Sequence, residues 1–243
     1  MSSLSMTPKK DAKASFIINL KAYTEGCAKN ALKLCKICDK IQNKFKHCEI
    51  MIAAQAPDIF RLSQVCKTKI IAQHVDLINP GAHTGKILFY SIKEAGAKGV
   101  LINHSEFPRI VKEIYELINE CKKNKLYSIV CAINDEIAKA IAELSPDFIA
   151  IEPPELIGTK TSVSRAKPNL IKKSVSSIKL INPKTKVLCG AGIHTKKDVS
   201  KALELDADGI LVASAIVKAK DPANKIIQFC EAIEEFFEKK KKY

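Results

Sequence analysis

The chain has 243 residues, 47% hydrophobic and 27% charged, a globular balance that excludes a disordered polymer and admits either one α/β barrel or two smaller domains. No apolar run approaches the ~20 residues that cross a bilayer; the longest, residues 208–218, is interrupted by small and polar side chains, which excludes a membrane-spanning protein. The net charge of +14 is compatible with a nucleic acid, an anionic surface or an anionic small substrate.

Part of that charge is terminal: residues 1–15 contribute +2 and Lys239 to Lys242 contribute +4, leaving +8 for the body. Arg61, Arg109 and Arg165 are the only arginines, so the forked donor that reads base edges and grips phosphates bidentately is scarce. Residues 1–15 lack the apolar stretch of a signal sequence and read as a basic, disordered tail. From residue 16 onward short apolar runs alternate with amphipathic stretches to the end of the chain. Strands are expected at 16–20, 49–53, 69–73, 99–103, 127–132, 147–151, 186–189 and 209–213. Their Ile, Val and Leu content with little polar alternation suits strands buried on both faces. Helices are expected at 28–45, 87–95, 108–123, 136–144, 169–180, 196–205 and 222–239, with a weak, short crossover around 57–67. Thr195 and Asp198 have the spacing of a capping box at one of these helix starts. Eight strands with interleaved helices fit a single-domain (β/α)8 barrel over residues 16–243 better than an open doubly wound sheet.

The nine cysteines are an odd number scattered through apolar segments, which reads as a reduced, cytoplasmic protein. Cys35 and Cys38 have metal or redox spacing, but they sit in a helical pattern without a second such pair.

A barrel of this kind hosts many chemistries, so function must be read from the carboxyl ends of its strands. After the first strand, the period of two turns Asn19 and Lys21 to one side, where Lys21 either serves the barrel mouth or snorkels to solvent. The fourth strand opens into Asn103-His104-Ser105-Glu106, placing an imidazole just before a helix start; a packed, hydrogen-bonded histidine is the plain alternative. The sixth runs straight into Glu152-Pro153-Pro154, so that a carboxylate made more basic by burial projects into the mouth and the prolines fix its direction. Leu156, Ile157 and Gly158 follow with the composition of a lid rather than of an ordinary surface loop. Gly190 and Gly192 after the seventh strand, and Ala213 and Ser214 after the eighth, let backbone N–H groups approach a phosphate, although glycine at a strand end is often only a turn requirement.

Taken together, Asn19-x-Lys21, Asn-His-Ser-Glu at 103–106, Glu-Pro-Pro-Glu-Leu-Ile-Gly-Thr at 152–159, Cys-Gly-Ala-Gly-Ile at 189–193 and Ala213-Ser214 resemble the triosephosphate isomerase family, in its shorter archaeal type. The elements occur in family order from residue 16 to about 230, and the loop at 73–85 is similar as well. The resemblance implies interconversion of dihydroxyacetone phosphate and glyceraldehyde 3-phosphate, in glycolysis and gluconeogenesis, with neither metal nor organic cofactor. It makes Glu152 the base and His104 the electrophile, the family's own pairing of a glutamate with a neutral histidine. Asn19 and Lys21 would hold substrate, with Lys21 also counted among the catalytic groups; backbone of Ile157, Gly158, Gly192, Ala213 and Ser214 would meet the phosphate. Glu106 would pair with Lys21. Family members of this type assemble as tetramers, and Thr84 would reach a neighbouring active site if that contact is kept, in a dimer or a tetramer.

Two features depart from the pattern. Lys160 stands where relatives commonly have the second glycine of Gly-Thr-Gly, and a lysine adopts positive φ less cheaply than glycine. The basic tail has no counterpart role. Two competing functions stay open at this level: another sugar-phosphate barrel enzyme such as an epimerase, sharing the phosphate loops, and a non-catalytic nucleic-acid-binding barrel that would account for the charge and show salt-sensitive retention of DNA or RNA.

Overall fold

The structure is a computed structural model that describes residues 13–156 and 162–241. Eight strands close into one parallel barrel in sequence order: β1 (Ala14–Asn19), β2 (Cys48–Ala54), β3 (Lys69–Ala72), β4 (Gly99–Ile102), β5 (Tyr127–Ala132), β6 (Phe148–Ile151), β7 (Lys186–Cys189) and β8 (Gly209–Val212). Among the described residues the helices are α1 (Ala28–Gln42), α2 (Ala56–Val65), α3 (Phe89–Glu94), α4 (Val111–Asn124), α5 (Asp135–Glu143), α6 (Val163–Ala166), α7 (Pro168–Ile181), α8 (Lys196–Glu204), α9 (Ser214–Val217) and α10 (Pro222–Lys240). None is long and apolar enough to cross a membrane.

Alternation along each strand builds two cores. Ile17, Met51, Ala53, Ile71, Leu101, Ile129, Cys131, Phe148, Ala150, Leu188 and Leu211 point inward and fill the barrel. Their neighbours, such as Phe16 and Ile18, Ile50 and Ile52, or Ile149 and Ile151, point outward against the apolar stripes of the helices. The inward set makes the barrel a packed interior rather than a pore, so a ligand has access only at its ends.

Several boundaries differ from expectation, and for local reasons. The tail expected to run to residue 15 ends sooner, because the Ala14 N–H donates to the His47 carbonyl at 2.8 Å and the Ser15 N–H to the Asp208 carbonyl at 3.0 Å. A small and a hydroxylated residue carry no strand signal, yet both are fully enclosed. The doubtful second crossover is a regular helix, α2, whose buried face is Asp58, Ile59 and Leu62. Helix α6 was not legible, being a single turn whose N-cap Ser162 accepts from the Ser164 N–H. The capping box at Thr195 and Asp198 is formed as the spacing suggested, with both reciprocal bonds present.

All nine cysteines are free thiols, eight of them buried. Burial pushes the Cys189 thiol up to about 12, which makes it an inert part of the interior.

Candidate active site

Asn19 is the last residue of β1 and is buried. Its Oδ1 accepts the Lys21 N–H at 3.0 Å, and that turn holds Lys21 in the left-handed region at φ 48. The strand alternation is therefore not what aims Lys21; a local side-chain turn does so. The ammonium of Lys21 meets Glu106 Oε1 at 2.6 Å, with the lysine side chain 11% exposed and the glutamate 58%. Solvent at Glu106 weakens the pair energetically, but its geometry fixes the end of a long, flexible side chain.

His104 lies two residues beyond β4, nearly buried. The Glu106 N–H donates to its Nδ1 at 3.2 Å, which leaves Nε2 as the ring's protonated nitrogen, a tautomer assigned from this bond. Nε2 stands 3.7 Å from Glu152 Oε2, too long for a good hydrogen bond and open enough for substrate atoms to be contacted by both groups.

Glu152 directly follows β6, and its N–H donates to the Ala132 carbonyl at 2.8 Å. The carboxylate is buried, and Oε2 has no hydrogen-bond partner in the structure. Burial raises its pKa above the ordinary carboxylate range; His104, the Cys131 thiol and Lys21 pull the other way, and Glu106 adds to the rise. A carboxylate deprived of water and only partly compensated is a stronger base than a solvated one.

Room for that side chain comes from Gly190, the residue after β7. A Cβ built there would lie 2.3 Å from Glu152 Cγ and 3.0 Å from its Cδ and Oε1. Gly190 is thus required by the Glu152 side chain and not by a turn. Gly192, in contrast, has φ 67 and satisfies a left-handed turn. The segments 190–194 and 211–215 line the same cavity as Asn19, Lys21, Tyr23, His104 and Glu152. Ala213 is the N-cap of α9, where Ser214 begins the helix; the first N–H groups of a helix lack intrahelical partners.

Of the expected site residues, Asn19, Lys21, His104, Glu152, Gly192, Ala213 and Ser214 come together around this cavity, with Glu106 beside Lys21. Thr84 lies elsewhere, exposed in the loop after β3. Ile157, Gly158 and Lys160 lie outside the described residues.

The sequence reading missed three contributors. Gln73, after β3, donates through Nε2 toward Asn19 Oδ1 at 3.2 Å, the Lys21 carbonyl at 3.1 Å and the Ala53 carbonyl at 3.0 Å, tying three strand ends together. Its position at a strand's carboxyl end was the available signal. Cys131 is buried on the inner face of β5 beside Glu152, and its thiol is pushed well up, by burial first and by the Glu152 charge second. An apolar strand gives no hint of that influence. Asn103, at φ 59, is the third.

A closed parallel barrel with a buried, basic carboxylate facing an imidazole N–H across a cavity at the strands' carboxyl ends is an enzyme scaffold suited to moving protons on a small substrate. The triosephosphate isomerase family profile matches residues 15–233, so the chain belongs to that family of isomerases. It is 44% identical to the triosephosphate isomerase of Methanocaldococcus jannaschii over 217 residues, covering 89% of this chain and 99% of the relative. Identity is 46% over 211 residues with that of Methanobrevibacter smithii, covering 87% and 95%. With that of Methanothermus fervidus it is 44% over 205 residues, covering 84% and 92%.

Proposed function

We propose that the protein interconverts dihydroxyacetone phosphate and D-glyceraldehyde 3-phosphate through an enediolate, as a cytoplasmic enzyme of glycolysis and gluconeogenesis. The observation that carries the assignment of roles is the unpartnered Glu152 Oε2 facing His104 Nε2 at 3.7 Å.

In this reading Glu152 takes a proton from the carbon beside the carbonyl, and the freed electron pair becomes the carbon–carbon double bond of the enediolate. Charge develops on the carbonyl oxygen, where the Nε2 proton of His104 meets it. His104 gives that oxygen its Nε2 proton and takes up the proton of the neighbouring hydroxyl, whose oxygen becomes the new carbonyl as the protonated Glu152 returns its proton to the carbon that carried the original one; both groups end as they began. Lys21 supplies fixed positive charge to an intermediate more anionic near its reacting oxygens than the substrate is. Asn19 supports that lysine by capping its N–H. Backbone of Gly192, Ala213 and Ser214 would receive the phosphate, joined by Ile157 and Gly158 from the segment after Glu152. Closure of residues 153–160 would exclude water and keep the enediolate from losing phosphate.

A homotetramer or dimer completes the proposal. Phe107, Ile110, Val111 and Tyr115, between 52% and 69% exposed, form an apolar face at the start of α4, and a second copy of the chain is its natural cover. Thr84 would reach a neighbouring active site in such an assembly. Ile110→Lys should shift the light-scattering mass of the purified protein toward smaller species; an unchanged mass removes this face from assembly.

The assay for the reaction follows NADH consumption by glycerol-3-phosphate dehydrogenase supplied with glyceraldehyde 3-phosphate. Purified protein should turn over, and Glu152→Gln should abolish nearly all turnover while still binding a phosphate-bearing inhibitor. Turnover by that variant at the wild-type rate would remove Glu152 from the mechanism.

A further inference from the structure

The loop that carries His104 is pinned at both ends by residues that do not line the cavity of Glu152 and His104. At its start, Asn103 leaves β4 with φ 59, a region that asparagine enters more readily than other non-glycine residues. Both ends of its amide are engaged: Nδ2 donates to the Cys131 carbonyl at 3.0 Å, and Oδ1 accepts the Arg109 N–H at 2.9 Å. The first bond ties the loop to β5, the strand next to the one that carries Glu152. The second closes residues 103–109 into a ring.

At its far end, Arg109 is anchored by its side chain, which is 11% exposed. Nη1 reaches Glu113 at 3.2 Å, Nη2 donates to the Val75 carbonyl at 3.0 Å, and the guanidinium lies 4.6 Å from the centre of the Phe107 ring. Nη2 also stands 3.1 Å from Nδ1 of His74. Burial first, and the guanidinium as well, lower the pKa of His74, with Asp76 opposing. The ring is therefore biased toward its neutral form, which can accept from the guanidinium.

Between these anchors lie the two bonds that define the imidazole. The Phe107 N–H donates to the His104 carbonyl at 2.7 Å, and the Glu106 N–H donates to Nδ1 at 3.2 Å. Glu106 in turn holds Lys21. A change in loop path of even a fraction of an ångström would alter the Nδ1 bond, the direction of Nε2 and the Lys21 ammonium together.

We propose that Asn103, with Arg109 as its far anchor, is the positioning residue for His104: its left-handed backbone and doubly bonded amide fix which imidazole nitrogen carries the proton and where it points. The proposal rests on the reading of His104 as the group that polarises the carbonyl.

Asn103→Gly is the informative variant, because glycine keeps φ 59 free of strain while deleting both amide bonds. Loss of alignment on this scale should lower kcat about 10- to 100-fold, with KM for glyceraldehyde 3-phosphate within about twofold, since binding of the phosphate is untouched. In the wild type, ¹⁵N resonances of the His104 ring should be well separated, with Nδ1 unprotonated and Nε2 protonated; in Asn103→Gly they should move toward each other as the tautomers mix. Arg109→Lys, which keeps the charge but loses the fork, should produce the same pattern with a smaller loss of kcat, and it carries the test if Asn103→Gly does not fold. Wild-type kcat in the folded variants, or a lower kcat with unmoved ring resonances, would overturn the positioning role. His104→Gln serves as the control: wild-type kcat in that protein would overturn the catalytic reading itself, whereas a crippled His104→Gln beside a fully active Asn103→Gly would overturn the positioning alone.

Discussion

Gly190→Ala isolates the placement of Glu152 from every other feature of the site. Gly190 does not have a positive φ, so alanine brings no backbone strain, and the perturbation is one methyl group aimed at the base. Its Cβ would stand 2.3 Å from Glu152 Cγ, whereas ordinary carbon contacts begin at 3.4 Å. Restoring that separation displaces the two groups by about 1.1 Å relative to each other, and Glu152, with Pro153 immediately after it, has little backbone freedom with which to yield. Misplacement of a reacting group by about 1 Å costs on the order of 10²-fold in rate. The coupled assay should therefore show kcat lower by about two orders of magnitude and KM changed only a few-fold, because the phosphate contacts proposed at Gly192, Ala213 and Ser214 do not depend on the Glu152 side chain. The accompanying loss of stability should be about 1–3 kcal/mol, the usual cost of overpacking, measured by urea unfolding. A Gly190→Ala enzyme with kcat within about threefold of wild type would refute the argument that the tight contact with Gly190 sets the position of the base.

Other outcomes follow from the same geometry. Since burial raises the Glu152 pKa in the folded state, ionising it costs stability: the favourable contribution of its protonated form is present below the ordinary value of 4.5 and is lost as pH rises through the raised one. Glu152→Gln should therefore melt above wild type at pH 7, with the gap closing below about pH 4; a lower melting temperature at pH 7 would contradict the sign. In the wild type, kcat/KM should fall on acidification with a midpoint above 4.5, as a pH–rate profile would show. His104→Gln should lose about 10²-fold or more in kcat, the usual worth of one donor to a developing oxyanion, and unchanged kinetics would assign the ring to packing. Lys21→Met should impair both KM and kcat, because in the proposed mechanism its charge faces substrate and enediolate alike; wild-type behaviour at every substrate concentration would leave Asn19-x-Lys21 as a mere strand end.

The order of strands and helices was legible because parallel strands buried on both faces are written as apolar runs, and the crossovers carry a helical period. Strand ends were legible as well, since His104 and Glu152 interrupt or terminate apolar runs where no packing need calls for them. Ala14 and Ser15 were not, because their membership of β1 depends on His47 and Asp208, which are distant in sequence. Gly190 illustrates the same limit inside the site. Its composition reads as a turn, and only the approach of β6 to β7 shows that Glu152 occupies the missing side chain's space. Asn103 and Gln73 look like ordinary polar residues at strand ends until their amides are seen to bridge separate strands.

Pairing of β1 with β8 brings Ser15 opposite Gly209, where a Cβ on the glycine would fall 2.0 Å from the Ser15 carbonyl oxygen. This seam joins the first strand to be synthesised with the last. On the ribosome, β1 must wait with one edge unpaired until residues 209–212 emerge, and α10 then packs over α1 and α8. Until then the nascent barrel is an open sheet with two exposed edges, the form most prone to pairing with another chain. Gly209 thus stands at the point where an open sheet becomes a closed molecule with no free edge.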